Sequence, residues 1–291
     1  MNLPRAVKMP YMPRIRDAVA KRAWSSWKLV RAKCLSHRAD KSVLFILGCQ
    51  RSGTTLVTRI FERDPDARVY GEFSKLSRRD GRKGIRLISL SDVRTELNRQ
   101  PFPLLVLKPL VESQNARDLL AAVDGSKALW LYRHYADVAS SDLEKFGLRN
   151  GIDNIRPMVE RQTGNWRSER LSGEITDLLR RKFSESMNPF DAAALFWFAR
   201  NHLFFDLQLD CDANVMPFPY DELVTEPDGG MRFIYDFLQR PYPGKSIVNE
   251  VRATSIGKGR KIGLSPDIQR ECDLLLSRLK RSYETRRTGA D

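Results

Sequence analysis

This 291-residue chain is poor in the residues that build metal centres and disulfide frameworks. It has four cysteines, Cys34, Cys49, Cys211 and Cys272, and three histidines, His37, His134 and His202. No two cysteines form a C-x-x-C pair and no histidine clusters with them, so neither a zinc site nor a disulfide scaffold is expected. Scattered thiols suit a reducing compartment, with Cys49 as a free thiol. Long apolar runs are also missing. The longest, 43–47 and 192–199, fall well short of the roughly 18 residues that cross a bilayer. The N-terminus lacks the continuous apolar core of a secretory signal.

Negative charge is the other shortage. Lys and Arg number 50 against 36 Asp and Glu, a net charge of +14. The excess is uneven: residues 1–41 carry eleven basic residues against Asp17 and Asp40. A basic balance invites an anionic partner. No nucleic-acid motif or aromatic platform accompanies it, so no nucleic acid is expected. Within residues 14–37, Ile15, Val19, Ala23, Trp27, Val30 and Cys34 fall on one helical stripe, with Arg16, Lys21, Arg22, Lys28, Arg31 and Lys33 around it. Residues 1–41 therefore read as a basic amphipathic segment. With Trp24 and Trp27, residues 14–37 could lie on an anionic membrane surface or pack on the domain or a second copy. An Arg-rich, acid-poor start also has the composition of a transit peptide. The expected location is the cytoplasm, at the membrane periphery if residues 14–37 lie on a membrane surface.

What the chain does have is a strand–turn–helix phosphate cradle. The apolar run 43–47 is followed by Gly48-Cys49-Gln50-Arg51-Ser52-Gly53-Thr54-Thr55 and then by an amphipathic stretch from Leu56. Backbone N–H groups in such a turn, together with the helix dipole, favour an anion. The G-x4-G spacing is that of a phosphate-binding loop, but Thr54 stands where the nucleotide-triphosphatase lysine belongs. The cation lies inside the loop, at Arg51. A tight turn without a ligand is the plain alternative.

A second apolar run, 128–132, ends at Arg133, and Asp137 is placed to cap the helix that follows. Ser141 lies eight residues after Arg133. A strand-end guanidinium and a first-turn hydroxyl can converge on one oxyanion. The plain alternative is a surface Arg133–Asp137 pair.

Gly-x-Gln-Arg-Ser-Gly-Thr-Thr-Leu at 48–56, followed by Arg133 and Ser141, resembles the sulfotransferases that use 3′-phosphoadenosine 5′-phosphosulfate (PAPS). The resemblance covers roughly residues 42–280 and departs from the usual pattern at Tyr135 and Ala136. It implies that Arg51, Ser52, Gly53, Thr54 and Thr55 hold the 5′-phosphosulfate and that Arg133 and Ser141 grip the 3′-phosphate. Tyr220, in Pro219-Tyr220-Asp221-Glu222-Leu223, would contact the adenine, or is a core tyrosine. Lys258 and Arg260, in a glycine-rich basic stretch, match a loop that closes over the 3′-phosphate, or form a solvated charge cluster. The region 107–110 offers no histidine base. The chain is similar instead to the branch with a glutamate base, which includes protein-tyrosine and bacterial enzymes. Glu72, seventeen residues after Thr55, is then the base, and Lys108 the cation near the sulfuryl group.

Sulfuryl transfer from PAPS to an acceptor hydroxyl, of a carbohydrate or glycolipid, needs in-line positioning, a base and cations, and no metal. The other two readings are an ATP-dependent kinase on the same loop geometry and a nucleotide-binding module without turnover. Further β-type runs at 104–107, 214–218 and 68–70 alternate with helical stretches at 54–63, 113–123 and 137–146. The expected fold is α/β: a mainly parallel sheet flanked by helices, of phosphate-binding-loop type, with a helical insertion. The domain is drawn over 42–285 with a tail at 286–291. Residues 147–190, helical near 171–183, are the insertion on the acceptor side. The apolar stretch 189–209 reads as a buried helix.

Overall fold

The computed structural model describes residues 18–35, 41–80, 84–259 and 262–289. In chain order its helices and strands are α1 (Ala18–Leu35), β1 (Ser42–Gly48), α2 (Thr54–Arg63), β2 (Ala67–Tyr70), β3 (Ser77–Asp80), β4 (Gly84–Leu87), α3 (Leu90–Arg99), β5 (Leu104–Leu107), α4 (Ala116–Ala122), β6 (Lys127–Tyr132), α5 (Tyr135–Phe146), α6 (Asn150–Val159), α7 (Gly173–Lys182), α8 (Pro189–Asp206), β7 (Val215–Pro219), α9 (Tyr220–Thr225), α10 (Pro227–Phe237) and α11 (Pro266–Thr288). A 3₁₀ turn, Leu110–Asn115, links β5 to α4. The main sheet runs β2-β5-β1-β6-β7 with every pairing parallel. β3 and β4 form a separate antiparallel hairpin.

Strands buried on both faces need apolar residues at every position rather than at every second one. β1 meets that demand: Leu44, Phe45, Ile46 and Leu47 are fully buried between β5 and β6. The chain leaves β1 towards β5 and β2 and returns to β6 on the other side, so strand order reverses beside β1. Ligand sites of open parallel sheets form at the carboxyl ends of strands at such a reversal. Gly48, Leu107, Tyr132 and Pro219 end their strands there; Lys108, Arg133 and Tyr220 follow directly, and Arg51 follows in the loop after Gly48.

α8 is buried on all sides through its middle, where the run 192–199 is apolar at every position. Pro189 opens it and Asn188 Oδ1 accepts the Phe190 N–H at 2.9 Å. Its indole Trp197 Nε1 donates to the Arg133 carbonyl at 2.9 Å, and Asn201 Oδ1 accepts from Trp130 Nε1 at 3.2 Å. The core helix thereby fixes the backbone at the end of β6, where Arg133 begins.

The insertion holds two helices, not one. α7 lies where helix is expected, but α6 precedes it and packs Ile152, Ile155 and Met158 against α5 and α8. Pro157 and a polar composition hide α6 in the sequence, and burial of its apolar face outweighs them. α11 continues to Thr288, beyond the boundary drawn at 285.

α1 packs on the domain. Trp24 Nε1 and Lys28 Nζ donate to the Glu62 carbonyl at 3.1 and 3.3 Å, and Arg31 pairs with Asp66 at 2.8 Å. The buried line is Lys28 and Ala32, one turn apart. The apolar stripe read from sequence is turned elsewhere: Val30 is 63% exposed and Cys34 is exposed. Residues 14–17 and 36–37 of that stretch lie outside the described residues.

Candidate active site

The loop between β1 and α2 is tied down from three sides. Gly48 N–H donates to Ser113 Oγ at 3.1 Å, and Ser113 Oγ returns a bond to the Gly48 carbonyl at 3.1 Å. Gln50 Nε2 donates to Asp142 Oδ1 at 3.0 Å, and Asn150 Nδ2 holds the other oxygen at 2.5 Å. Burial raises the Asp142 carboxyl above the usual range, against the pull of those two donors. Arg51 has φ 65°, a left-handed conformation that costs a non-glycine residue on the order of 1 kcal/mol. That backbone sends its guanidinium to Ser141, whose Oγ accepts from Nε at 3.1 Å and Nη2 at 2.8 Å. Cys49 is a free, buried thiol pushed up by desolvation, which makes it inert.

Gly53 has φ 92° and lies directly under the Tyr220 ring; a Cβ there would meet Tyr220 Cδ2 at 2.3 Å. Only glycine satisfies both the angle and the contact. The other face of this corner is Arg133, whose guanidinium lies 4.6 Å from the Tyr220 ring centre. The Tyr220 hydroxyl and Ser255 Oγ are 2.6 Å apart, and Arg133 Nη2 donates to the Ser255 carbonyl.

A second chain of contacts starts at Thr55. Lys108 Nζ donates to Thr55 Oγ1 at 2.8 Å and pairs with Glu72 Oε1 at 3.1 Å. Lys108 is 10% exposed and Glu72 26%. Parallel pairing of β2 with β5, Tyr70 beside Leu107, brings Lys108, one residue past β5, to Glu72, two residues past β2. An ammonium so placed links a carboxylate to the helix end of the phosphate loop.

Arg51, Gly53, Thr54, Thr55, Arg133, Ser141, Tyr220 and Lys258 therefore line one cleft of ≈ 330 Å³. Glu72 and Lys108 stand beside it through Thr55. Ser52 is fully buried beneath the loop. Arg260 lies outside the described residues. Arg133 and Ser141 do not bond each other: Ser141 serves Arg51, and Arg133 pairs with Asp137 at 3.4 Å in a contact that is buried, not superficial. Asp137 does not cap α5 either. His134 does, its Nδ1 accepting the Ala136 N–H at 3.2 Å, and burial lowers its pKa in keeping with a neutral acceptor. Asp137 instead accepts the Gly257 and Gly259 N–H groups at 2.8 and 2.7 Å.

Ser255, Ser140 and Glu144 also line the cleft and were not read from sequence. Ser255 precedes the glycine-rich stretch, and Ser140 and Glu144 neighbour Ser141 on α5, but no local pattern marks them. The cleft fits an anion on one observation: Arg133 Nε, at its wall, is buried and has no hydrogen-bond partner. Buried donors normally have acceptors, and an oxyanion would satisfy this one.

No protein-family profile matches the chain, and no curated protein matches it by sequence. Among solved structures it is similar to the sulfotransferase domain of the curacin biosynthetic pathway, at TM-score 0.51 and 16% identity over 83% of this chain and 98% of that one. The sulfotransferase domain of the Synechococcus PCC 7002 olefin synthase gives TM-score 0.47 and 16% identity over 84% and 96%. Mouse sulfotransferase SULT7A1, solved with PAP, gives 0.42 and 16% over 90% and 94%. On the curacin domain, a five-stranded parallel sheet flanked by helices and closed by a phosphate-type loop is the fold that this chain shares with sulfotransferases.

Proposed function

We propose that the protein is a PAPS-dependent sulfotransferase that moves a sulfuryl group from PAPS to an acceptor hydroxyl, with carbohydrates and glycolipids as the first acceptors to test. The observation that carries the reading is the Glu72–Lys108–Thr55 chain, which puts a carboxylate one side chain away from the phosphate loop. A passive nucleotide-binding module has no need of that carboxylate. PAPS would supply an activated sulfuryl group on a phosphate leaving group. The loop N–H groups from Ser52 to Thr55 and the Arg51 guanidinium would bind and orient the 5′ end. Lys108 would hold positive charge against the oxygens that gain negative charge as the sulfur–oxygen bond to phosphate breaks. Glu72 would take the acceptor proton onto a carboxylate oxygen. Arg133, with Ser141, would bind the 3′-phosphate, and Tyr220 would flank the base. The kinase alternative lacks a lysine after Gly53, where Thr54 stands. Turnover with PAPS and none with Mg-ATP supports the proposal; turnover with Mg-ATP alone overturns it, and nucleotide binding without turnover of any acceptor favours the module.

α1 adds a second element to the proposal. Leu29 and Val30 are exposed while Lys28 and Ala32 face the domain. The outward face thus joins apolar residues to the exposed Arg22, a composition that suits an anionic membrane surface.

A further inference from the structure

Asp137 is almost wholly buried, 3% exposed, yet it sits on the wall of the cleft. Each of its carboxylate oxygens accepts one backbone N–H from a segment 120 residues away: Oδ2 from Gly257 at 2.8 Å and Oδ1 from Gly259 at 2.7 Å. Arg133 approaches the same carboxylate at 3.4 Å and also bonds the Ser255 carbonyl. Tyr220 reaches Ser255 Oγ at 2.6 Å. The segment therefore makes side-chain bonds to three cleft residues. Gly259 closes it: a Cβ there would lie 2.1 Å from the Ala136 carbonyl oxygen, so no larger residue lets the segment come down onto α5. Between the two anchored glycines stands Lys258, exposed and lining the cleft.

We propose that Asp137 is a positioning residue that straps segment 254–259 across the cleft and so sets Lys258 for the phosphate that Arg133 receives. The proposal rests on the reading of the cleft as a nucleotide site. Two charge-assisted bonds to backbone N–H groups hold a loop far better than solvent-exposed side-chain pairs do, since the carboxylate is out of water and the amides cannot rotate away. The carboxylate also offsets the Arg133 charge in the free protein. An arriving phosphate meets an Arg–Asp pair, and Lys258 on the strap supplies the extra cation that makes the site net positive. Release of the nucleotide would then require the strap to lift.

The test measures two quantities on the full chain. Hydrogen–deuterium exchange of the Gly257 and Gly259 amides, without nucleotide, should be at least about tenfold faster in Asp137→Asn and Asp137→Ala, while β1 and β6 amides exchange as in wild type. Dissociation of adenosine 3′,5′-bisphosphate (PAP), followed by stopped flow, should speed up by about the same factor. Gly259→Ala should reproduce both effects from the other side of the contact, and it decides the matter if the Asp137 variants fail to fold. Unchanged glycine exchange in a folded Asp137→Ala or in Gly259→Ala overturns the strap. Faster exchange with an unchanged PAP off-rate overturns its role in nucleotide retention. If wild type binds no PAP, the nucleotide reading fails, and the exchange result still judges the strap by itself.

Discussion

Glu72 and Arg133 are the residues on which the proposed chemistry can be tested most directly. Glu72 faces Lys108, so replacing its charge would remove the proposed base while the Lys108–Thr55 contact stays in place. We expect Glu72→Gln to keep PAP affinity within about threefold and to lose about 10²–10⁴ in turnover, measured with a sulfated-product assay once an acceptor is found. A variant that turns over at the wild-type rate would place the base elsewhere. Arg133 has one nitrogen with no partner and a carbonyl locked by Trp197. Arg133→Ala should therefore weaken PAP by about 1.5–3 kcal/mol while 5′-AMP, which lacks the 3′-phosphate, is unaffected. Calorimetry on the two nucleotides reads the difference, and equal losses would remove the assignment. The residue types and spacings of Arg51, Arg133 and Glu72 were readable because each follows a strand end within three residues, and Ser141 by its distance from Arg133. Their partners were not: that Arg51 takes Ser141 and Asp137 takes two glycine amides depends on how α5 lies across the sheet.

At the level of elements, two contacts join pieces distant in sequence. Arg86 on β4 holds Glu112 at 2.7 Å and Glu169 at 2.7 Å, tying the hairpin and the insertion to the turn after β5. Gln114 Nε2 adds a bond to Glu169 at 2.9 Å. Arg86→Met removes the cation that the Glu112 and Glu169 carboxylates share. We expect it to destabilise by about 3–5 kcal/mol in urea unfolding, well above the effect of an exposed pair such as Arg170–Asp118. The second contact is Lys28 on α1, buried against Glu62, with its pKa lowered to about 8 chiefly by desolvation. The ordinary lysine value is 10.5, so from pH 8 to 10.5 the unfolded chain holds a proton that the folded one has lost, and stability rises with pH across that window. Below pH 8 both states are charged and the burial cost is fully present. Lys28→Met should be more stable than wild type at pH 7 by about 1–3 kcal/mol, and that advantage should shrink as pH passes from 8 towards 10.5. A pH-independent gap would show that Lys28 stays solvated.

For the whole molecule, the outward face of α1 around Leu29 and Val30 is the surface on which the membrane proposal is tested. Sedimentation with anionic liposomes should pull down the full chain at low salt and less of it at high salt, since each basic residue near such a surface contributes about 1 kcal/mol that screening removes. Salt-independent absence of binding rules the membrane surface out. The domain beneath is a parallel sheet whose functional edge is set by topology. With β1 central and the order reversing beside it, Arg51, Lys108, Arg133 and Tyr220 emerge at the same edge although they span 170 residues.

The sequence by itself determined the five strands of the main sheet, the loop and the α/β class, but not the β3–β4 pair. Runs such as 43–47 and 104–107 are apolar at every position because both faces of the sheet are covered, and burial of that kind is written residue by residue. The left-handed φ of Gly53 and the strand-to-helix order are local too, whereas the Tyr220 ring that also excludes a Cβ there is a tertiary contact. Tertiary structure decided what local rules do not reach. α6 exists because α5 and α8 bury it despite Pro157. α1 turns Lys28 and Ala32 inward because the Glu62 carbonyl, not the apolar stripe, sets its seat. Asp137 forgoes the helix cap because two glycine amides arrive from the far end of the chain, and His134 is free to cap in its place. In each case the contact that wins joins groups far apart in sequence, and its energy appears only once the chain has closed the distance between them.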